Sequence, residues 1–168
     1  MKTSLKTFAF IMMIVISFSA EAQKIAYLNL DTLLATMPEM TEAKKTSADY
    51  YKQLETTLST MQKELNDKLT EYQANEKNYT DLIKQTKQKE LQDLNQRIQD
   101  FQVQAQRDFQ EKNIEITKPI NEKAKKAIEK VAKAKGYKIV LDSGIGTILY
   151  SEPVDDILLL VKTELGIK

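Results

Sequence analysis

The sequence predicts a mainly α-helical protein of the α+β class, in which a long antiparallel coiled-coil hairpin is inserted into a small β-containing body. Two observations carry this prediction. Between Glu39 and Lys118 the chain has no glycine and no proline and is rich in charged and amide residues, which is typical of long helices. Short apolar runs near both chain ends, and all four glycines, lie outside that stretch and favour strands and turns there.

Apolar residues of the helical stretch recur at spacings of three and four, as in a coiled-coil seam. A continuous rod and a hairpin both produce such a seam, but a hairpin makes it mirror itself about a turn. The seam does so about residue 87, which places Leu65 opposite Phe109. We therefore predict a hairpin over residues 41–118 with its tip near the polar run 84–89. The seam residues are Leu54, Leu58, Met61, Leu65, Leu69, Tyr72, Tyr79, Leu91, Leu94, Ile98, Phe101, Ala105, Phe109, Ile116 and Ile120.

The first half of the predicted body is residues 23–40. Residues 25–30 form a nearly continuous apolar run, which predicts a buried strand. Asp31 or Thr32 is expected to cap a short helix that ends before Pro38.

The second half of the predicted body is residues 119–168. Pro119 predicts a kink or a fresh helix start, and Gly136 predicts the end of that helix. The β-rich runs 137–141 and 147–150 predict a β-hairpin around the glycine-bearing loop 142–146, and a last helix is expected to open after Pro153. Three strands and short helices of this size bury too little apolar surface to be stable alone, which favours an oligomer.

The amino terminus predicts a signal peptide over residues 1–22. Lys2 and Lys6 form a basic start, residues 8–18 form a short apolar run, and Ala20-Glu21-Ala22 matches a processing site, which predicts cleavage after Ala22. A membrane anchor is the alternative, but a span requires about 20 apolar residues and this run is shorter. Cleavage would leave 23 basic and 23 acidic residues, against 25 and 24 in the full chain. A neutral mature chain argues against nucleic acid as a partner.

The residue types needed for chemistry are missing. Without histidine or cysteine, the chain lacks the commonest general base, the usual transition-metal ligands and the strongest nucleophile. Gly144 and Gly146 do not match a phosphate-binding loop, because no lysine with serine or threonine follows and the loop leads into a strand. We therefore predict a protein that is not an enzyme and has no catalytic residue, metal site or cofactor.

Two surfaces are candidates for binding. Lysines outnumber acids over residues 118–135, which favours a solvated face near a helix end; weak contact with anionic lipid through Lys123, Lys125, Lys126 and Lys130 is the alternative. Soft and aromatic residues of the hairpin close it, contact unfolded chains, or do both. The candidates for contact with unfolded chains are Met61, Tyr72, Tyr79, Leu82, Phe101 and Phe109.

Both ends of the mature chain resemble a known family. The opening run KIAYLNLDTLLATMPE, the later runs AKGYKIVLD and GTILYSEPVDDI, and the long charged helical stretch between them resemble the Skp family of periplasmic chaperones, also called OmpH-like. The resemblance covers essentially all of the mature chain. Two departures are the neutral charge, where members can be strongly basic, and Leu158, where a threonine often follows the isoleucine.

The resemblance implies a periplasmic homotrimer whose strands form a central β body and whose three hairpins surround a cavity. Unfolded outer-membrane β-barrel proteins would be held there without ATP, so that the protein acts as a holdase chaperone. An envelope scaffold or spacer that binds one folded partner is the alternative hypothesis. The residues that the trimer body would use are Ile25, Tyr27, Leu28, Leu30, Ile139, Leu141, Ile148 and Tyr150.

Overall fold

A computed structural model describes residues 24–144, 146 and 148–167. The predicted signal peptide and its cleavage site lie outside the described residues. The mainly helical fold with a small sheet is confirmed. In chain order the elements are β1 (Ile25–Leu28), α1 (Leu30–Thr36), α2 (Pro38–Asn75), a 3-10 helix (Glu76–Asn78), α3 (Asp81–Lys135), β2 (Ile139–Asp142), a second 3-10 helix (Pro153–Asp155) and α4 (Leu158–Glu164).

Helices α2 and α3 form an antiparallel hairpin, but its turn is not where the sequence predicts it. The turn lies at residues 76–80, and the predicted tip at 84–89 is inside α3. Tyr51 packs edge-on against Phe109 with ring centroids 5.4 Å apart, and Ser47 donates to Asn113 over 2.5 Å. Both pairs are centred on residue 80, so the predicted pairing of Leu65 with Phe109 is wrong.

Capping chemistry explains the position of the turn. The Thr80 hydroxyl accepts a hydrogen bond from the Ile83 N–H at 3.4 Å, and the Thr80 carbonyl accepts one from the Lys84 N–H at 2.9 Å. Thr80 therefore serves as the N-cap of α3. Asn75, just before the 3-10 helix, and Asn78, its last residue, are typical turn residues. At the other end of α3, the helix continues through Pro119 without a fresh start.

Strands β1 and β2 pair in parallel, with Ile25 opposite Ile139 and Leu28 opposite Asp142. The predicted β-hairpin between 137–141 and 147–150 is wrong, because residues 148–150 are in no strand; Thr147 lies outside the described residues. Leu149 and Tyr150 are 97% and 81% exposed, so the side chains of these two residues project into solvent rather than into the core. High β-propensity indicates only that a segment can form a strand. Whether it does so depends on whether a partner strand is available.

A different segment occupies the second edge of β1. Tyr27 forms an isolated parallel bridge with Asp156, and the Tyr27 carbonyl accepts a hydrogen bond from the Ile157 N–H at 3.0 Å. The Asp156 carboxylate then accepts a hydrogen bond from the Leu158 N–H at 2.9 Å, at the start of α4. The chain therefore hydrogen-bonds to β1 on both edges, while the outer edge of β2 has no strand among the described residues.

The short helix before Pro38 is confirmed, but its cap is not the predicted Asp31 or Thr32, which both lie inside α1. The Leu30 N–H, at the helix start, donates to Oδ1 of Asp142 over 3.1 Å, and the Gly144 N–H donates to the same atom over 2.8 Å. A carboxylate 112 residues away in sequence thus accepts the first N–H of α1.

The predicted stop at Gly136 is confirmed, and its mechanism is visible. Gly136 has φ of 75°, which only glycine adopts without strain. Its N–H donates to the Lys133 carbonyl, and the Tyr137 N–H donates to the Ala132 carbonyl, which together form a Schellman cap.

The described chain forms two compact units, one of residues 24–30 with Ala127–Gly166 and the other of Asp31–Lys126. The predicted boundaries between the hairpin (residues 41–118) and the body (residues 23–40 and 119–168) remain a prediction. The buried apolar residues of the first unit are Ala26, Leu28, Ala127, Val131, Ile157 and Val161; those of the second are Leu33, Met37, Ala43, Tyr72, Leu94, Ile98, Ile120 and Ala124.

The capping role of Asp142 leads to a stability prediction. Asp142→Ala is expected to lower the free energy of unfolding by about 1 kcal/mol, because the first N–H of α1 loses its acceptor. Asp31→Ala, at the position that the sequence alone suggests, is expected to change it by less than about 0.5 kcal/mol. Urea unfolding followed by circular dichroism measures both, and equal effects of the two substitutions would contradict the assignment.

Candidate functional site

One side of the α2–α3 hairpin carries an apolar depression, which we call the trough. Its lining positions on α2 and on α3 recur at spacings of three and four, so they lie on one face of each helix. On α2 these positions run from Met40 to Leu58, and on α3 they run from Phe101 to Thr117. The hairpin thus offers a continuous binding surface between its two helices.

The ring pair of Tyr51 and Phe109 divides the trough into two wells. The first well has a volume of about 310 Å³ and the second about 350 Å³. Both wells share Tyr51 and Phe109 as a wall, and Tyr51 is 55% exposed. The remaining apolar or small lining residues are Leu54, Leu58, Phe101 and Ala105 in the first well, and Met40, Ala43, Ser47, Ala48 and Thr117 in the second.

Polar groups border both wells without making either of them strongly charged. The exposed amides of Gln102 and Gln106, with the Glu55 carboxylate, line the first well. Asn113 and Lys44 line the second. Apolar wells with a border of amide groups suit a ligand that presents apolar side chains together with polar backbone groups.

Two of the six residues predicted to contact unfolded chains contact each other next to the turn. Tyr72 is buried, and its ring lies 6.1 Å from that of Tyr79. The Tyr72 hydroxyl accepts a hydrogen bond from the Gln88 amide at 2.9 Å. These contacts support the alternative that the sequence left open, in which aromatic seam residues close the hairpin.

The other four predicted contact residues are not brought together. Phe101 and Phe109 line the trough, whereas Met61 is half-buried elsewhere on α2. Leu82 is 74% exposed in the first turn of α3. The sequence prediction missed Tyr51, although this aromatic residue continues the seam three positions before Leu54 and could have been found by that spacing.

Two ion pairs connect the two helices of the hairpin. Lys87 lies 3.3 Å from the Glu71 carboxylate, and the hydrogen bond to that carboxylate raises the pKa of Lys87. Lys123 bonds to Glu39, which lowers the pKa of Glu39. Any stabilisation from the Glu39 pair is therefore present above the ordinary carboxyl pKa and lost as the pH falls through the lowered value. Both pairs are solvent-exposed and contribute little.

Two of the lysines predicted to contact lipid have carboxylate partners. Lys123 is paired with Glu39, and Lys130 Nζ lies 2.5 Å from the Glu164 carboxylate. Lys125 and Lys126 are exposed on α3. The pairing of half the set favours the solvated-face interpretation of this helix segment.

The sheet carries a second apolar surface, which we call the sheet face. Ile25, Ile139 and Leu141 are 43%, 44% and 43% exposed, and Tyr27 is half-buried. The parallel register pairs Ile25 with Ile139 and Tyr27 with Leu141, so all four side chains project from one side of the sheet. A sheet side this apolar is suited to contact with another protein surface.

The remaining residues predicted for the trimer body are not all on the sheet face. Leu28 is 2% exposed and belongs to the core of its own unit. Leu30 in α1 and Ile148 after β2 are half-buried, whereas Tyr150 is exposed and donates a hydrogen bond to the Glu152 carboxylate, which raises the pKa of Tyr150.

Two other kinds of site are absent from the described residues. No group of three or more acidic side chains in the described part of the chain could hold a metal ion. Across residues 24–144, 146 and 148–167, no helix is both long enough and apolar enough to span a membrane.

Comparison with known proteins identifies the family. A family model described as "Outer membrane protein (OmpH-like)" matches residues 24–165. A crystal structure from Caulobacter crescentus CB15, named as a candidate outer membrane chaperone (OmpH-like), superposes with a TM-score of 0.75 at 12% identity, over 88% of this chain and 86% of that one. No curated protein sequence matches the chain significantly. The resemblance drawn from the terminal motifs is thus confirmed, and the chain belongs to the OmpH-like family.

Proposed function

We propose that this protein is an ATP-independent holdase chaperone that binds unfolded outer-membrane proteins and prevents their aggregation. The observation that carries the proposal is the trough, a continuous apolar surface along the hairpin that the described residues leave open. Membership of the OmpH-like family supports it, as does the name of the Caulobacter structure, which describes a candidate outer membrane chaperone. The chain has no histidine or cysteine, which also favours a binding role over a catalytic one.

The proposed working unit is a homotrimer in the periplasm. The sheet face supports it, because a two-stranded sheet with three apolar side chains more than 40% exposed is marginal alone. Packing sheet faces together in a trimer would bury them and would place three hairpins around one client. Several weak contacts then add up to firm holding through their high effective concentration. The predicted signal peptide over residues 1–22 supports export to this compartment.

The holding activity is tested by dilution of an unfolded outer-membrane barrel protein from urea. At one trimer per client, the mature protein is expected to suppress light scattering almost completely, and addition of ATP is expected to change nothing. Bovine serum albumin at equal mass is the control for nonspecific protection. Aggregation that proceeds as fast with the protein as with albumin would rule out the proposed function.

One observation favours the scaffold hypothesis as a second candidate. Leu82 is 74% exposed and Ile83 is 42% exposed next to the turn, so the end of the hairpin offers an apolar pair to a partner. A scaffold would capture one folded envelope protein in a fixed ratio and lose it on Leu82→Ser with Ile83→Ser. A holdase that holds its clients in the trough would protect them equally well with these substitutions, since the trough lies elsewhere on the hairpin.

A further inference from the structure

We propose that the trough is a spacing-specific site for an extended polypeptide segment, with two apolar side chains four residues apart seated in its two wells. The inference rests on the proposed function, because it specifies the form in which an unfolded client is held. A spacing-specific site differs from a nonspecific apolar surface, which would bind apolar side chains at any spacing.

The separation of the wells sets the spacing. On α2 the first well spans residues 51–58 and the second spans 40–51; on α3 they span 101–109 and 109–117. The well centres are therefore eight or nine helical residues apart, or about 13 Å at a rise of 1.5 Å per residue. An extended chain advances about 3.3 Å per residue, so four residues cover this distance.

An even spacing also gives the correct orientation. In an extended chain, residues separated by an even number of positions point to the same side. Side chains at positions i and i+4 therefore enter both wells together, and the side chain at i+2 faces the ring pair of Tyr51 and Phe109. Chains that alternate apolar and polar residues, the pattern of a barrel strand, satisfy this requirement repeatedly.

The polar border of the wells favours an extended segment over a helix from a second copy of this chain. An extended peptide has backbone N–H and C=O groups that need partners, and the exposed amides of Gln102 and Gln106 can supply them. A helix has already satisfied its own backbone groups. Its apolar side chains would lie against these amides and remove them from water without any compensating hydrogen bond.

Three labelled peptides test the proposal against the full mature protein by fluorescence anisotropy. The first is a nine-residue polar host with leucines at positions 3 and 7, and the second has the same composition with leucines at positions 3 and 6. The third is an alanine-rich helical peptide with leucines seven residues apart. We expect the first peptide to bind with a dissociation constant about tenfold lower than that of the second, because only one leucine of the second can be buried.

Substitutions in the protein locate the binding. Ala105→Leu fills the first well and Ala48→Leu fills the second well. Each substitution is expected to raise the dissociation constant of the first peptide about tenfold and to change that of the second peptide by less than about twofold. Ala74→Leu, at an exposed alanine of α2 outside the trough, is the matched control and is expected to change neither.

Aggregation suppression measured in parallel separates this inference from the proposed function. The inference is overturned if the first two peptides bind equally, if the helical peptide binds tightest, or if filling both wells has no effect. In each of these cases, continued protection of an unfolded barrel protein would leave the holdase function standing. If peptide discrimination and protection of the barrel protein are both lost, the inference and the proposed holdase function are both overturned.

Discussion

Replacement of Leu141 by aspartate is expected to disrupt the proposed trimer and leave the mature protein monomeric. Leu141 projects from the sheet face, opposite Tyr27 in the parallel register, and is 43% exposed in the single chain. In a trimer, the substitution would remove the burial of three leucine side chains, each worth about 1 kcal/mol because each is already more than half buried in the single chain. It would also bring three carboxylates into one apolar interface, where an unpaired charge costs several kcal/mol more. Native mass spectrometry measures the outcome as a threefold drop in mass.

The matched control is Ile114→Asp, which places the same charge at an exposed apolar residue of α3. Ile114 is 65% exposed and lies outside both the sheet face and the trough, so this variant is expected to remain a trimer. A trimer that survives Leu141→Asp would exclude the sheet face as its interface. A wild-type protein that is monomeric at micromolar concentration would exclude the trimer itself.

Features that depend on local chemistry could be predicted from the sequence. The absence of glycine and proline from residues 39–118 indicated long helices, and Gly136 ends α3 through a backbone conformation that its neighbours in sequence determine. The strand at Ile25–Leu28 also follows from a local apolar run. In each case the residues that carry the signal are the residues that form the structure.

The register of the hairpin could not be obtained from the seam, because a heptad pattern repeats. The observed pairs centre on residue 80 and the predicted pairs on residue 87, so each residue faces a partner 14 positions from the predicted one. Fourteen residues are two heptads, and such a shift places seam residues opposite seam residues again. The turn breaks this degeneracy, and its signal was the capping residue Thr80 rather than the polar run at 84–89.

The segments that pair with the sheet from far away in sequence also could not be predicted from the local sequence pattern. The segment at residues 148–150 has the β-rich composition, yet the chain reaches the second edge of β1 at Asp156 and Ile157. Asp142 similarly supplies the α1 helix with a cap from 112 residues away. Composition indicates which secondary structure a segment can form. The tertiary fold determines which partner it can contact. The same applies to the trough, which requires the correct register of both helices before Tyr51 meets Phe109.

The register of the hairpin can be tested by disulfide formation. The chain has no cysteine, so Ser47→Cys with Asn113→Cys introduces a single pair of thiols. The two native side chains are in hydrogen-bond contact at 2.5 Å, so these positions face each other across the hairpin, and we expect this double variant to form an intramolecular disulfide in much higher yield than a pair that is out of register. Electrophoresis without reductant and peptide mass mapping measure the yield, and dilute protein with a monomer-mass product excludes links between chains.

Leu65→Cys with Phe109→Cys is the opposing variant, since a turn centred on residue 87 would bring these positions together. In the observed register Phe109 faces Tyr51, which is 14 residues from Leu65, or about 21 Å along the helix. Two cysteines cannot be bridged when their Cα atoms are more than about 7 Å apart. We therefore expect no disulfide in this variant. The reverse result, with Leu65 linked to Phe109 and Ser47 unlinked, would restore the turn at 84–89 and would separate the ring pair on which the two wells depend.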